Sequence, residues 1–171
     1  MSLAAAILAL VTLQRVGELV LARYNTGKLL ARGAIETAAG HYPLVVALHT
    51  AWLIALWAYG RDQPVNFVAL GLFIVLQGLR LWVIAILGPR WTTRIMVVPG
   101  ETLISAGPYR YFSHPNYAVV TAEIAILPVA LRLPLIALIF TILNAVVLSI
   151  RIRAEARALS VVHERPSRAV Q

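Results

Sequence analysis

The chain of 171 residues contains no cysteine, and only 13% of its residues are charged. The first absence excludes a disulfide-bonded scaffold and a zinc site with cysteine ligands. The second sets the chain apart from soluble domains, in which roughly 25% of residues are charged. Hydrophobic residues make up 60% of the chain instead, and they come in long blocks. We therefore expect a single membrane-embedded domain over residues 1–171.

Acidic residues are scarce as well. The 7 Asp and Glu residues stand against 15 Lys and Arg, which gives a net charge of +8. Such an excess can indicate nucleic-acid binding, but here the basic residues lie mainly between and after the apolar blocks. That placement favours the positive-inside rule and anionic lipid headgroups. We expect membrane lipids and no nucleic acid as partners, and the sequence indicates no particular oligomeric state.

Five apolar blocks predict an all-α integral membrane protein with about five transmembrane helices. The blocks cover residues 3–21, 43–59, 65–87, 117–131 and 133–150. The third and fifth comfortably reach the roughly 20 residues that cross the hydrocarbon core. The fourth is short, and Pro134 lies just past its end. The last two blocks are therefore predicted to form a helical hairpin around Arg132.

The basic residues also predict an orientation. If all five blocks cross the membrane, three basic regions lie on one side, with the C-terminus in the cytoplasm. These residues are Arg23, Lys28 and Arg32 in the first loop, Arg90, Arg94 and Arg110 in the loop from Gly88 to Asn116, and Arg151, Arg153, Arg157, Arg165 and Arg168 in the tail.

Four charged residues fall inside the apolar blocks, where each costs roughly 2.5–3.5 kcal/mol unless it finds a partner or a cavity. Arg15 and Glu18 are three residues apart and could neutralise each other. Arg80 could extend to the membrane surface or face a ligand. Glu123 has no basic residue at helical spacing, so its partner must come from another helix, a ligand or a proton. A functional role is predicted for Glu123.

The long loop ends in a polar, aromatic segment, residues 107–117. Before it, residues 92–98 and 102–104 read as two extended segments around a Pro-Gly turn. Pro115 is suited to the first position of a helix, and the free N–H groups there favour a carboxylate. Tyrosine and phenylalanine rings offer surfaces for a flat ligand. The alternative is an interfacial aromatic belt with a capping turn.

A second polar cluster follows the fifth block. Arg151 and Glu155 are four residues apart and share a helix face. Asn144 lies almost two turns earlier on roughly the same face, and a buried amide there needs a partner. These residues suggest a polar seam that descends into the helix bundle. The alternative is an ordinary surface ion pair just outside the membrane.

Together the two clusters resemble the isoprenylcysteine carboxyl methyltransferase superfamily of integral membrane enzymes. The likeness covers residues 97–159 and implies a core for S-adenosylmethionine at about residues 88–160. The matching residues are Gly107, Pro108, Tyr109, Arg110, His114, Pro115, Tyr117, Arg151 and Glu155. Ser113, Ala118 and Ala156 depart from the family pattern, which has arginine, often glycine, and glutamate at these positions.

The resemblance and the polar positions together assign roles. Binding of the cofactor is assigned to Gly107, Tyr109, Arg110, His114, Pro115, Tyr117 and Glu155. Catalysis is assigned to Arg151, Glu155 and Glu123, and binding of the acceptor to Glu123, Asn144 and Arg80. No metal ligand is implied.

Further segments resemble a bacterial branch of the superfamily. They are Gln14–Leu19, Ala22–Asn25, Gly33–Glu36, His41–Pro43 with His49, and Gly88–Arg94. This branch implies O-methylation of a lipophilic acceptor, an alkylpyrone or alkylresorcinol hydroxyl. It also implies the bacterial inner membrane, with the active site facing the cytoplasm. The alternatives are carboxyl methylation of an isoprenylcysteine-like substrate, a small transporter subunit and a non-enzymatic membrane assembly protein.

The acceptor decides which residues matter most. A phenol has a pKa of about 10, so a base such as Glu155 or Glu123 would help to remove its proton. A carboxylate acceptor would need no base and would bind to Arg151 instead. The acidic residues of the seam favour an enol or phenol.

Overall fold

The computed structural model describes residues 1–37, 40, 42–102 and 104–164, with no side chains described beyond Glu155. Five long helices account for most of this part of the chain. They are α1 (Leu3–Ala31), α2 (Tyr42–Gly60), α3 (Phe67–Leu87), α4 (Pro115–Ala130) and α5 (Pro134–Glu164). The prediction of a mainly helical protein is confirmed.

Local signals set the helix ends. The Ser2 side chain accepts a hydrogen bond from the Ala5 N–H, and Asn66 accepts from Val68 and Ala69 at the start of α3. Pro115 opens α4 without needing a donor of its own. Arg132 has φ 57 in the tight turn between α4 and α5. The two helices pack against each other, so the predicted hairpin is confirmed.

Length separates α4 from the other helices. In the described ranges, α1, α2, α3 and α5 are each long and apolar enough to cross a membrane. With 16 residues, α4 is about 24 Å long, which is less than the roughly 30 Å of the hydrocarbon core. It packs between α3 and α5. The protein is therefore an integral membrane protein in which four helices long enough to span the membrane pack with a shorter one.

The helices alternate in direction. At one end of the bundle the Ser2 hydroxyl donates to the Arg61 carbonyl, and the Asn66 N–H donates to the Ala130 carbonyl at 2.8 Å. At the other end the Asn25 amide donates to the Trp91 carbonyl at 2.9 Å. This alternation places the long loop, the start of α4 and the C-terminal part of α5 together.

An apolar core fills the end of the bundle away from the long loop. Its members include Leu8 of α1, Trp52 and Leu56 of α2, and Phe73 of α3; Ile124 and Leu127 of α4 complete this set. The Trp52 indole N–H donates to the Ile124 carbonyl at 3.3 Å, which satisfies the one polar atom of that side chain. Polar residues are thereby left to the other half of the bundle.

One prediction about the loops is wrong. Helix α1 continues to Ala31, so Arg23 and Lys28 lie on the helix and not in a loop. Part of the first predicted extended segment forms the short strand β2 (Met96–Val97), which pairs antiparallel with β1 (Ile35–Glu36). The ion pair between Arg94 and Glu36, at 2.7 Å, favours this distant partner.

Other predicted residues lie outside the described part of the chain. They are His41, Leu103, Arg165, Arg168 and the side chains of Ala156 and Arg157.

Candidate functional site

Four charged residues meet inside the bundle and form what we call the buried ion cluster: Arg15, Glu18, Arg80 and Glu123. Arg80 of α3 donates through Nε and Nη2 to the two oxygens of Glu18, both at 2.5 Å. It also reaches Glu123 at 3.0 Å through Nη1. Arg15 donates to Glu18 at 2.9 Å and to Glu123 at 2.8 Å. The cluster joins α1, α3 and α4.

Two amides complete this network. Gln14 donates to Glu18 at 3.0 Å and to the Gln77 carbonyl oxygen at 2.7 Å. Gln77 in turn donates to Glu123 at 2.8 Å. Two guanidinium groups and two carboxylates sum to zero charge, so the low-dielectric interior holds no excess charge here.

The cluster decides between the sequence interpretations. The neutralising pair of Arg15 and Glu18 is confirmed, and it is part of a larger group. The interpretation that Arg80 extends to the membrane surface is wrong, because its side chain is only 7% exposed and is held by two carboxylates. Glu123 is 0% exposed and finds its partners on other helices, as its sequence position required.

A second polar group lies where α4 meets α5. The Tyr117 hydroxyl donates to the Glu155 carboxylate at 2.6 Å and accepts a hydrogen bond from Arg151 Nε at 2.9 Å. Arg151 and Glu155 are therefore joined through a phenol. Below them the Asn144 amide donates to the Thr121 hydroxyl at 3.0 Å, which supplies the partner expected for this buried residue.

The segment before α4 folds over this group. Residues Gly107–Arg110 form a single 3₁₀ turn. Gly107 has φ 58, and a Cβ there would lie 2.9 Å from Ile86 Cγ1, so only glycine fits without a shift. The His114 ring stacks on Tyr117, with ring centroids 5.1 Å apart. Burial raises the pKa of Tyr109 to about 12, and the Glu155 carboxylate acts in the same direction.

Ion pairs fasten the long loop to the first loop. Glu101 of the long loop pairs with Arg32 at the end of α1, and Arg90 of the same loop contacts this carboxylate at 2.7 Å. Arg94 binds Glu36 and also lies over the Tyr42 ring, 4.7 Å from its centroid. The β1–β2 pairing adds backbone hydrogen bonds to these contacts.

Two cavities result from this arrangement. The small cavity, of about 180 Å³, lies among the helices and is lined by apolar residues such as Val45, Leu53 and Val120 together with Arg15 and Arg80. The large cavity, of about 1010 Å³, lies under the long loop. Tyr109, His114 and Glu155 line the large cavity.

Five residues line both cavities and form what we call the shared wall: Trp91, Thr92, Asn116, Tyr117 and Arg151. The Trp91 indole N–H and the Asn116 Oδ1 atom are buried and make no hydrogen bond to any described residue. Leaving buried polar atoms without partners is costly. A ligand that reaches this wall would remove that cost.

The two cavities gather most of the predicted site residues. Tyr109, His114, Tyr117 and Glu155 line the large cavity, whereas Arg80, Asn144, Tyr117 and Arg151 line the small one. Gly107, Arg110, Pro115 and Glu123 line neither cavity. Glu123 contacts Arg15 and Arg80, which line the small cavity, without lining it itself.

Sequence reasoning assigned no role to several residues that line the cavities: His49, Trp91, Thr92 and Asn116. All four lie within or beside the segments that resemble the superfamily or its bacterial branch. That resemblance was the one signal in the sequence that could have indicated them. Their spacing along the chain carries no helical or strand pattern that would bring them together.

We expect Arg80→Met to lower the free energy of unfolding by about 3–5 kcal/mol, because it leaves two buried carboxylates with a single guanidinium. Denaturant unfolding in detergent measures the loss. Arg61→Met is the matched control, since Arg61 pairs with Asp62 at the surface and should contribute less than about 1 kcal/mol. Adding Glu123→Gln to Arg80→Met should restore part of the stability. Simple additivity of the two losses would contradict a coupled cluster.

The chain matches known proteins along most of its length, although no solved structure matches it significantly. It is 40% identical over 159 residues to the uncharacterized protein YpbQ of Bacillus subtilis, covering 90% of this chain and 94% of that protein. It is 25% identical over 138 residues to an uncharacterized protein of Haemophilus influenzae, covering 77% and 80% of the two chains. Residues 69–161, which include the shared wall and the Tyr117–Arg151–Glu155 group, match the isoprenylcysteine carboxyl methyltransferase (ICMT) family. The protein belongs to this family.

Proposed function

We propose that this protein is an integral membrane methyltransferase that transfers the methyl group of S-adenosylmethionine to a hydroxyl of a lipophilic acceptor. The observation that carries the proposal is the shared wall. One side faces a large cavity under the polar loop, and the other faces a small cavity among the helices. Methyl transfer is an in-line displacement, which requires donor and acceptor to approach from opposite sides.

The large cavity suits the cofactor. Its volume of about 1010 Å³ lies at the upper end of the roughly 300–1,000 Å³ range of ligand pockets. The Glu155 carboxylate supplies negative charge for a ligand with sulfonium and ammonium groups. Tyr117 and His114 offer ring surfaces for adenine. When bound, S-adenosylmethionine supplies an electrophilic methyl group.

The start of α4 contributes less to binding a carboxylate of the cofactor than the sequence suggested. The Tyr117 N–H donates to the His114 carbonyl at 3.1 Å, so it is already satisfied. The unpartnered Oδ1 atom of Asn116 is a stronger feature, because it is buried in the shared wall and can accept a hydrogen bond from a ligand.

The small cavity suits an apolar acceptor. Side chains of all five helices line it, and its polar groups include Asn144, Thr121 and Arg151. A ring with one hydroxyl would fit beside these groups, while its alkyl tail extends between the helices into the lipid. An alkylpyrone or alkylresorcinol has this form.

Charge balance favours a neutral acceptor. Arg15 and Arg80 line the small cavity, but Glu18 and Glu123 neutralise them. Arg151 is linked through Tyr117 to Glu155. The site therefore holds no unbalanced cation to offset a buried carboxylate.

A carboxylate acceptor, as in isoprenylcysteine, is the second candidate, since three guanidinium groups line the small cavity: Arg15, Arg80 and Arg151. The transporter alternative requires the intramembrane charges to line an open path. The mutual pairing of these charges argues against it.

The residues act in distinct ways in this proposal. The Arg151–Tyr117–Glu155 chain holds the shared wall in place and directs the remaining guanidinium N–H groups of Arg151 to the acceptor. Arg80 and Asn144 shape the acceptor pocket. Glu123 is a positioning residue, because all its described contacts are to Arg15, Arg80 and Gln77.

The basic loops support an orientation in which the large cavity opens to the cytoplasm, where the water-soluble cofactor is made. We propose the bacterial inner membrane as the location. The acceptor would then enter from the lipid and the cofactor from the aqueous side.

Binding of S-adenosylmethionine should be measurable by calorimetry on the detergent-solubilised protein. We expect His114→Ala and Tyr117→Ala each to weaken it roughly two- to tenfold, because an aromatic contact contributes about 0.5–1.5 kcal/mol. Arg153→Gln, an exposed residue on α5, is the control and should bind like the wild type. A wild type that gives no heat above background would overturn the assignment of the cofactor.

Substitutions in the hydrogen-bonded residues Arg151, Tyr117 and Glu155 should lower turnover more than cofactor affinity. Tyr117→Phe keeps the ring but removes the bridging hydroxyl, and Glu155→Gln removes one charge. We expect each to lower kcat at least about tenfold. The Kd of the cofactor should change less than about threefold for Tyr117→Phe, which leaves the charge of Glu155 in place. Arg153→Gln again serves as the control. Equal losses of kcat and of cofactor affinity would assign Arg151, Tyr117 and Glu155 to cofactor binding alone.

The choice of acceptor can be tested by a direct comparison of acceptors. Purified protein receives methyl-labelled cofactor with an alkylpyrone, an alkylresorcinol or a prenylcysteine in parallel reactions. We expect label in the first or second acceptor, because the neutral site favours an uncharged head group. Transfer only to prenylcysteine would reverse the choice and make Arg151 the ligand of its carboxylate.

A further inference from the structure

A histidine on α2 faces the small cavity and is not used by any step above. His49 Nδ1 lies 2.8 Å from the Val45 carbonyl oxygen, one helical turn earlier. A carbonyl oxygen can only accept a hydrogen bond, so Nδ1 carries the hydrogen. In the neutral ring, Nε2 is then the nitrogen with a free lone pair.

The position of the ring makes that lone pair available. His49 is among the residues that line the small cavity, as are Asn144 and Arg151. Nε2 makes no hydrogen bond to any described residue. The hydrogen bond from Nδ1 to Val45 fixes both the tautomer and the orientation of the ring. In many catalytic histidines a hydrogen-bond partner on the nitrogen that does not take the proton has the same effect.

The carboxylates near the acceptor are already engaged. Both oxygens of Glu18 accept from Arg80 at 2.5 Å. Glu123 accepts from Arg15, Arg80 and Gln77, and it does not line the cavity. Glu155 accepts from Tyr117 and lies on the side of the large cavity. Glu18 and Glu123 are therefore occupied by donors of the protein, and Glu155 belongs to the lining of the other cavity.

We propose that His49 is the general base of the reaction and takes the proton of the acceptor hydroxyl at Nε2. This inference rests on the proposed function. It replaces the carboxylates, which the sequence favoured for this role, with a neutral imidazole in the acceptor pocket itself.

The step balances in atoms and charge. The acceptor O–H bond breaks as its proton moves to Nε2, and the oxygen electron pair forms the new O–CH₃ bond. The S–CH₃ bond breaks, and its electrons stay on sulfur, which becomes a neutral thioether. The imidazolium afterwards loses its proton to solvent through the mouth of the cavity, so that one proton is released per methyl group transferred.

General-base catalysis gives the expected size of the effect. His49→Gln keeps a polar side chain of similar length but cannot take a proton, so kcat should fall about 10²- to 10⁴-fold. The Kd of the cofactor should stay within about twofold, since His49 does not line the large cavity. Tyr59→Phe is the control, because Tyr59 lies on the same helix with an exposed side chain away from both cavities, and it should keep full activity.

Two further measurements separate proton transfer from structure. His49→Ala leaves space for a small base. Added imidazole should therefore raise kcat of this variant at least about tenfold over its value without imidazole. Without cofactor, a long-chain nitrophenol buffered below its own pKa should show the phenolate absorbance when bound to the wild type. Bound to His49→Gln, it should keep the absorbance of the neutral phenol.

The outcomes distinguish the two proposals. If the wild type methylates its acceptor and His49→Gln does so within about threefold, the base assignment is overturned and the proposed function stands. A lack of imidazole rescue in a His49→Ala protein that still binds cofactor also overturns it. If the wild type methylates none of the acceptors, the proposed function fails, and the nitrophenol spectrum still decides whether His49 accepts a phenol proton.

Discussion

The requirement that no charge stay unpaired in the membrane interior determines how this bundle is assembled. Arg15, Glu18, Arg80 and Glu123 come from three helices, and each would be costly alone at this depth. Joined, they sum to zero charge and contact one another at 2.5–3.0 Å. Their geometry sets how α1, α3 and α4 are rotated about their axes. The faces that line the small cavity follow from that rotation.

The two cavities are held by different forces. The small cavity is built on helices that are fastened by the buried ion cluster, where water does not compete. The walls of the large cavity include loops fastened by surface ion pairs such as Arg90 with Glu101, and exposed pairs of this kind contribute only about 0–1 kcal/mol each. The small cavity is therefore expected to be the more rigid of the two. The loop that covers the large cavity can adapt when a ligand enters or leaves.

The shared wall separates these two environments, and the proposed reaction takes place across it. It contains an apolar ring, a guanidinium group and two buried polar atoms without protein partners, at Trp91 and Asn116. Unsatisfied atoms of this kind lower stability unless a ligand completes them. Family membership agrees with a methyl transfer at this wall. Two features of the small cavity are relevant to the choice of acceptor. They are its neutral charge balance and the free imidazole nitrogen of His49.

The sequence by itself determined the membrane class, the position of the helices, the α4–α5 hairpin and the family, because these depend on hydrophobic blocks and on motifs that are local in the chain. It also placed Arg151, Glu155 and Tyr117 near one another through helical spacing and the motif.

Only the tertiary structure decided which distant residues meet. The partners of Glu123 lie 43, 46 and 108 residues away. Strand β2 pairs with the first loop, and His49 lines the small cavity from α2. The physical reason is that helical periodicity defines the face on which a side chain lies. Which residues pack against that face depends on how the separate helices are rotated and packed. The pairing of the buried charges determines that rotation.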